Sequence, residues 1–265
     1  MVTLFIVLII LGYLMGSICS AVLICRMCSL PDPREHGSKN PGATNILRIA
    51  GKHYALLVVA ADILKGTIPV LIAKGLDATP ETIGFTALAA VLGHIYPIFF
   101  GFKGGKGVAT AIGALLGFHF IVGVMVSATW LVVVNVTRYS SLASLAAICL
   151  APLYSLILIG RLDIFTPLFF IALFVLFKHK NNITRLMDGV EPKMKFKQPI
   201  LDEVLEPSPV KKTQETTEPI REAKSLTTKT KKPSVTKEVT KKAKSTQSKT
   251  QKPEKQGKVA KKKEE

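Results

Sequence analysis

The chain has 265 residues, a formal charge of +17 and a positive mean hydropathy. Strong basicity and net hydrophobicity together exclude a single soluble globular domain. The chain divides instead: residues 201–265 carry 18 Lys/Arg and 10 Asp/Glu with no aromatic residue, while the first 200 carry 17 Lys/Arg and 8 Asp/Glu and nearly all the long apolar runs.

In chain order, the first apolar run is Thr3–Cys25, long enough to span a bilayer. Arg26 and Arg34 follow it and no basic residue precedes it, the reverse of a signal peptide, so it reads as a retained helix. Further runs are Tyr54–Ala73, Ile83–Phe100, Val108–Val136, Ser141–Ile159 and Ile164–Phe177. The fourth has 29 residues and is either one tilted helix or two short ones joined near Phe118-His119-Phe120. Basic residues favour cytosolic loops. Arg26, Arg34, Lys39, Arg48 and Lys52 put the first loop inside, and Lys103 and Lys106 put the third inside. Two crossings in the fourth run then leave Arg138 and the basic C-terminus inside, which one crossing does not. The expected fold is an all-α polytopic membrane protein with seven transmembrane helices, N-terminus out and C-terminus in. Residues 1–198 form the membrane domain. Residues 199–265 form a Lys-rich cytosolic tail, too poor in apolar surface to offset its chain entropy and therefore disordered. The four cysteines, Cys19, Cys25, Cys28 and Cys149, imply no disulfide framework and no metal site.

This parity gathers three polar segments on one side. His36–Arg48 has glycines at 37 and 42 for tight turns, Ser38, Asn40, Thr44 and Asn45 as short hydrogen-bonding groups, and Arg48 as a fork suited to phosphate. Gly101–Thr110 opens an apolar helix with Gly104, Gly105, Lys106 and Gly107, a ready anion site. It is not a nucleotide-hydrolysing loop, because Gly107 stands where Ser or Thr is needed after the lysine and Phe100 stands where a glycine is needed before it. His179–Glu191 follows the last span and, as a helical continuation, places His179, Asn181 and Asn182 within one turn, with Arg185 next on the same side as Asn182. Within membrane depth, Asp62 and Lys65 share a helix face and should pair. His94 and Pro97 are placed to shape the glycine-rich segment.

Three motifs carry a family pattern: G-S-x-N-P-G-A-T-N-x-x-R at 37–48, G-H-x-x-P followed by F-K-G-G-K-G-V-A-T at 93–110, and H-x-x-N-I-x-R-L at 179–186. Over about residues 1–195 the chain resembles the bacterial acyl-phosphate-dependent glycerol-3-phosphate acyltransferases, the PlsY family. The resemblance implies transfer of a fatty acyl group from acyl phosphate to the 1-hydroxyl of sn-glycerol 3-phosphate. The products are lysophosphatidic acid and phosphate, in the first committed step of phospholipid synthesis. It implies no cofactor and no metal. It implies a bacterial inner-membrane location with the site facing the cytosol, and a functional link to the enzyme that makes acyl phosphate. By resemblance Ser38, Arg48 and Lys106 hold the glycerol phosphate, and His179 and Asn182 complete the catalytic group. Asn40, Thr44, Asn45, Gly104, Gly105 and Thr110 line the phosphate site, supported by Arg185, Glu191, Asp62 and Lys65. Two positions depart from the family pattern: Cys19 stands where proline is usual and Lys39 where glycine is usual.

Two other readings compete. An organic-phosphate transporter would need polar residues along a midplane pathway, and only Asp62 and Lys65 hint at one. A membrane anchor recruiting nucleic acid would need its tail for function. The tail reads as solvated or bound to anionic membrane lipid, with no specific nucleic-acid partner.

Overall fold

The computed structural model describes residues 2–194. The expected tail and the domain boundary at 198 lie outside the described residues. Among the described residues the fold is helical throughout. It begins with α1 (Val2–Gly16) and α2 (Ser20–Met27), then a long loop into α3 (Ala43–Ile49). There follow α4 (Lys52–Gly75), α5 (Pro80–Ile95), α6 (Val108–Phe118) and α7 (Phe120–Thr137). The fold closes with α8 (Ser140–Ile159), α9 (Phe165–Lys178) and α10 (Lys180–Met187).

Four helices are long and apolar enough to cross a membrane: α4, α5 with its trailing turn to Phe100, α7 and α8. The α1–α2 pair adds a fifth if its 41° bend is one span. Helices α6 and α9 are equally apolar but have only 11 and 14 residues. These helices are apolar on their outer faces as well: Leu64, Leu71, Val132 and Ile157 are all exposed. In water such surface would aggregate; in lipid it is the expected coat.

The first run differs from the single helix expected over Thr3–Cys25. It breaks at Ser17–Cys19. Ser17 Oγ donates back to Tyr13 O at 2.8 Å, a bond that bends helices. The Ile18 carbonyl leaves the helix ladder and accepts from Lys65 Nζ at 2.7 Å. The break falls where the resemblance leads one to expect proline, and it persists with Cys19 there. The fourth run also breaks, at His119, whose extended backbone (φ −146°, ψ 108°) separates α6 from α7.

With lipid outside, apolar burial cannot drive these helices together, so close backbone packing matters more. The core is accordingly rich in small residues: Ala87, Ala90, Ala111, Ala114, Ala143 and Ala147 are almost fully buried. Backbone meets backbone where α4 crosses α6. A Cβ on Gly66 would lie 2.1 Å from Thr110 O, and one on Gly113 would lie 2.0 Å from Ile63 O. Only glycine fits at either place. Thr67 Oγ1 donates to Gly113 O at 2.7 Å across the same crossing.

Candidate active site

The loop before α3 lacks helix and is held by side chains. Asn45, 1% exposed, accepts from Ser38 N–H through Oδ1 at 2.8 Å. Its Nδ2 donates to Pro33 O at 2.9 Å and His36 O at 3.0 Å. Both amide hydrogens are committed to the loop backbone, so Asn45 has no donor left for a phosphate. It was expected as a phosphate ligand; here it sets the position of Ser38. On α3, Thr44 and Arg48 stand one turn apart and, with Asn45, line a cavity of about 700 Å³.

The glycine-rich segment meets the same cavity. Gly105 N–H donates to His94 O at 3.2 Å, and a Cβ on Gly105 would lie 2.2 Å from His94 Nε2. Glycine is therefore required for this approach, and its N–H is not available to an anion. Thr110 is fully buried and shares a 3.1 Å hydrogen bond with His94 Nδ1. That nitrogen is 3.5 Å from Asp62 Oδ1, which lies 2.8 Å from Lys65 Nζ. The expected Asp62–Lys65 pair thus extends into a buried cluster that also holds the α1–α2 break. Gly105, Thr110 and Lys65 stand behind the cavity wall, while Asp62, His94 and Gly104 reach it.

Lys106 follows directly and points across the cavity. Its Nζ donates to Asn182 Oδ1 at 2.5 Å. Asn182 Nδ2 donates to Glu191 Oε1 at 2.6 Å, and Ser141 Oγ donates to that oxygen at 2.7 Å. Arg185 Nε donates to Glu191 Oε2 at 2.7 Å. Burial pushes Glu191 up, but the bonds from Ser141, Asn182 and Arg185 hold its carboxyl below the ordinary value. Burial pushes Lys106 down to about 8, helped by Arg185, Arg48 and Lys178 and opposed by Glu191.

His179 sits at the junction of α9 and α10 and is 2% exposed. Its Nδ1 lies 2.8 Å from Val175 O, which can only accept, so Nδ1 carries the hydrogen and Nε2 keeps a lone pair. Burial, then the charge of Lys106, pushes His179 down to about 4, against the Val175 bond and Glu191. The ring is neutral at physiological pH.

Of the residues expected at the site, Ser38, Asn40, Thr44, Asn45, Arg48, Gly104, Lys106, His179, Asn182, Arg185, Glu191 and Asp62 line this cavity, Asn45 with its amide committed to the loop backbone. Several lining residues were not expected: Lys39, Lys52, Lys178, Ser141 and Ser144. Most are lone polar residues at the ends of apolar runs, where anchoring is the ordinary reading. Lys39 carried a signal of its own, since its backbone is left-handed (φ 57°) at the position of the departure from glycine. Among the described residues, Lys39, Arg48, Lys52, Lys106 and Lys178 form no ion pair. The cavity therefore presents surplus positive charge. Much of the remaining lining is apolar: Leu56, Val59 and Ile63 of α4, Val108 and Ile112 of α6, and Trp130 of α7. An anion with a hydrocarbon tail matches both kinds of lining.

Comparisons with known proteins point the same way. A family model described as glycerol-3-phosphate acyltransferase matches residues 6–189. A Legionella pneumophila glycerol-3-phosphate acyltransferase is 65% identical over 206 residues, covering 78% of this chain and 74% of the relative. One from Pseudoalteromonas translucida is 50% identical over 194 residues, covering 73% of this chain and 95% of the relative. The crystal structure of PlsY, an integral membrane glycerol 3-phosphate acyltransferase, in its glycerol 3-phosphate form superposes with a TM-score of 0.67. It is 39% identical, covering 76% of this chain and 98% of that one. Its lysophosphatidic acid form superposes at 0.65 with 38% identity, covering 72% and 96%. A cationic cavity with an apolar wall, set among membrane-length helices, is what such an enzyme requires, and the chain belongs to the glycerol-3-phosphate acyltransferase family, the membrane acyltransferases of phospholipid synthesis.

Proposed function

We propose that the chain transfers a fatty acyl group from acyl phosphate to the 1-hydroxyl of sn-glycerol 3-phosphate, releasing lysophosphatidic acid and inorganic phosphate. The observation that carries this reading is one cavity lined both by cations unpaired among the described residues and by apolar side chains. Ser38, Arg48 and Lys106 hold the glycerol phosphate, with Asn40, Thr44 and Gly104 completing the cradle. The apolar wall takes the start of the acyl chain.

In the reaction, the glycerol hydroxyl oxygen attacks the acyl carbonyl carbon. The bond from that carbon to the phosphate oxygen breaks, and its electron pair leaves with phosphate. The hydroxyl proton goes to a phosphate oxygen or to His179 Nε2. With His179 near 4, and a phosphate monoester titrating near about 6, the phosphate oxygen is the stronger base. His179 then acts by accepting a hydrogen bond that aims the hydroxyl. Ser38 Oγ has no hydrogen-bonded base among the described residues, which favours direct attack over a serine intermediate. Cationic neutralisation and positioning supply the rate.

The same reading has seven spans, with α6 and α9 as short crossings. The N-terminus is outside and the site faces the cytosol of a bacterial inner membrane. The test is purified protein in detergent with glycerol 3-phosphate and either acyl phosphate or acyl-CoA. Lysophosphatidic acid should form from acyl phosphate with one phosphate released per ester. Product from acyl-CoA alone would overturn the donor assignment, and no product would overturn the reaction.

A further inference from the structure

After α10 the chain turns at Gly189 and runs as a strap over the corner between α7 and α8. Met194 N–H donates to Arg138 O at 2.8 Å. Its side chain is buried with Val134 and Ala143, and Lys193 Nζ lies 5.5 Å over the Tyr139 ring. The strap begins at Glu191, so this docking delivers the carboxylate to Ser141, in the first turn of α8 and 3% exposed.

We infer that Ser141 is a positioning residue for acyl transfer: it fixes the Glu191 carboxylate, which orients the Asn182 amide and through it Lys106. The inference rests on the proposed function. Its chemistry is that of donors and acceptors. An amide has one end that accepts and one that donates, and the two are nearly the same shape. A carboxylate only accepts, so Asn182 must turn its NH₂ toward Glu191. Its oxygen then faces Lys106, whose ammonium only donates. The charged form of Glu191 therefore selects which end of Asn182 meets Lys106. Glu191 Oε1 takes two donors, from Ser141 and Asn182, and Oε2 takes Arg185, whose side chain is 41% exposed. Without Ser141 the carboxylate loses its buried anchor on α8 and keeps only partners on α10. No sequence motif includes Ser141.

The groups facing Glu191 are Ser141 from α8, Asn182 and Arg185 from α10, Lys106 from the loop before α6, and His179 from the α9–α10 junction. Losing the Ser141 donor removes one of the bonds that hold Glu191 low, so its protonation moves to higher pH. Activity that needs charged Glu191 is lost as pH falls through that value.

The experiment is the pH profile of kcat/KM with acyl phosphate and glycerol 3-phosphate for wild type, Ser141→Ala, Ser141→Thr and Ser155→Ala. Ser155 is buried on α8, away from the site, and its hydroxyl has no partner. Ser141→Ala should lower kcat/KM about tenfold at pH 7, the effect of one lost bond to a charged group. It should also move the acid limb to higher pH. Ser141→Thr should return both toward wild type, and Ser155→Ala should change neither. A Ser141→Ala profile superimposed on wild type overturns the inference. So does an equal loss in Ser141→Ala and Ser141→Thr with the acid limb unmoved, which marks a packing defect. Wild type that makes no ester overturns the acyl-transfer reading and this inference with it.

Discussion

Lys106 gives the sharpest prediction, because its environment sets both a charge and a pH. Burial and three neighbouring cations bring it down to about 8. The ammonium form is needed to meet a phosphate, so activity is present below that value and lost as pH rises through it. The kcat/KM profile reports ionisation of the free enzyme. At pH 9, one unit higher, about one site in eleven keeps its proton, so kcat/KM falls about elevenfold from its plateau. The substrate phosphate, titrating at about 6, is dianionic from about pH 7 upward and adds no alkaline limb of its own. Lys106→Arg keeps the charge beyond about pH 12. That variant should have a lower plateau, since a planar fork does not reproduce a point donor to Asn182, but no alkaline limb. The assay is lysophosphatidic acid formation at limiting glycerol 3-phosphate from pH 6 to 10, with spontaneous breakdown of acyl phosphate subtracted at each pH. A wild-type profile flat to pH 10, or an alkaline limb unchanged in Lys106→Arg, refutes the assignment of Lys106 to the phosphate.

His179→Phe should lower kcat by about a hundredfold, the low end for a group handling a proton; a loss near ten-thousandfold would make His179 the base in place of the phosphate oxygen. Asp62→Leu leaves Lys65 charged and uncompensated in a buried setting, and should destabilise by about 3–5 kcal/mol in thermal unfolding in detergent. Asp62→Leu combined with Lys65→Met should recover most of that, and a double variant as unstable as the single one would contradict the pairing. Lys39 holds a left-handed backbone at the cavity edge. Lys39→Gly should therefore stabilise by about 1 kcal/mol while raising the KM for glycerol 3-phosphate, more at low salt than at high salt. An unchanged KM at both ionic strengths would remove Lys39 from the electrostatic field of the site.

Much of the site was legible because its residue types announce their chemistry. Lys106, Asn182 and Arg48 lie in long polar motifs between apolar runs, and the cavity collects all three. Asn45 and Thr110 belong to the same motifs, yet their polar groups face the protein. A motif marks a neighbourhood; it does not say which side chains face inward. Ser141 was invisible for the opposite reason. It is one small hydroxyl at the head of an apolar helix, and its partner Glu191 is 50 residues away. The break at Ser17–Cys19 was missed because hydropathy continues across it. Its cause is partly tertiary, a lysine on another helix drawing out the Ile18 carbonyl.

The glycine crossing of α4 and α6 has a mechanical meaning for the enzyme. With backbone touching backbone at Gly66 and Gly113, and Thr67 bonded across, these two helices have no slack to slide or part. The apolar wall they form is a rigid backstop. A methyl group at position 66 or 113 would act as a wedge between α4 and α6, and a shift of α6 would reach Lys106 in the loop that leads into it without any contact to that residue.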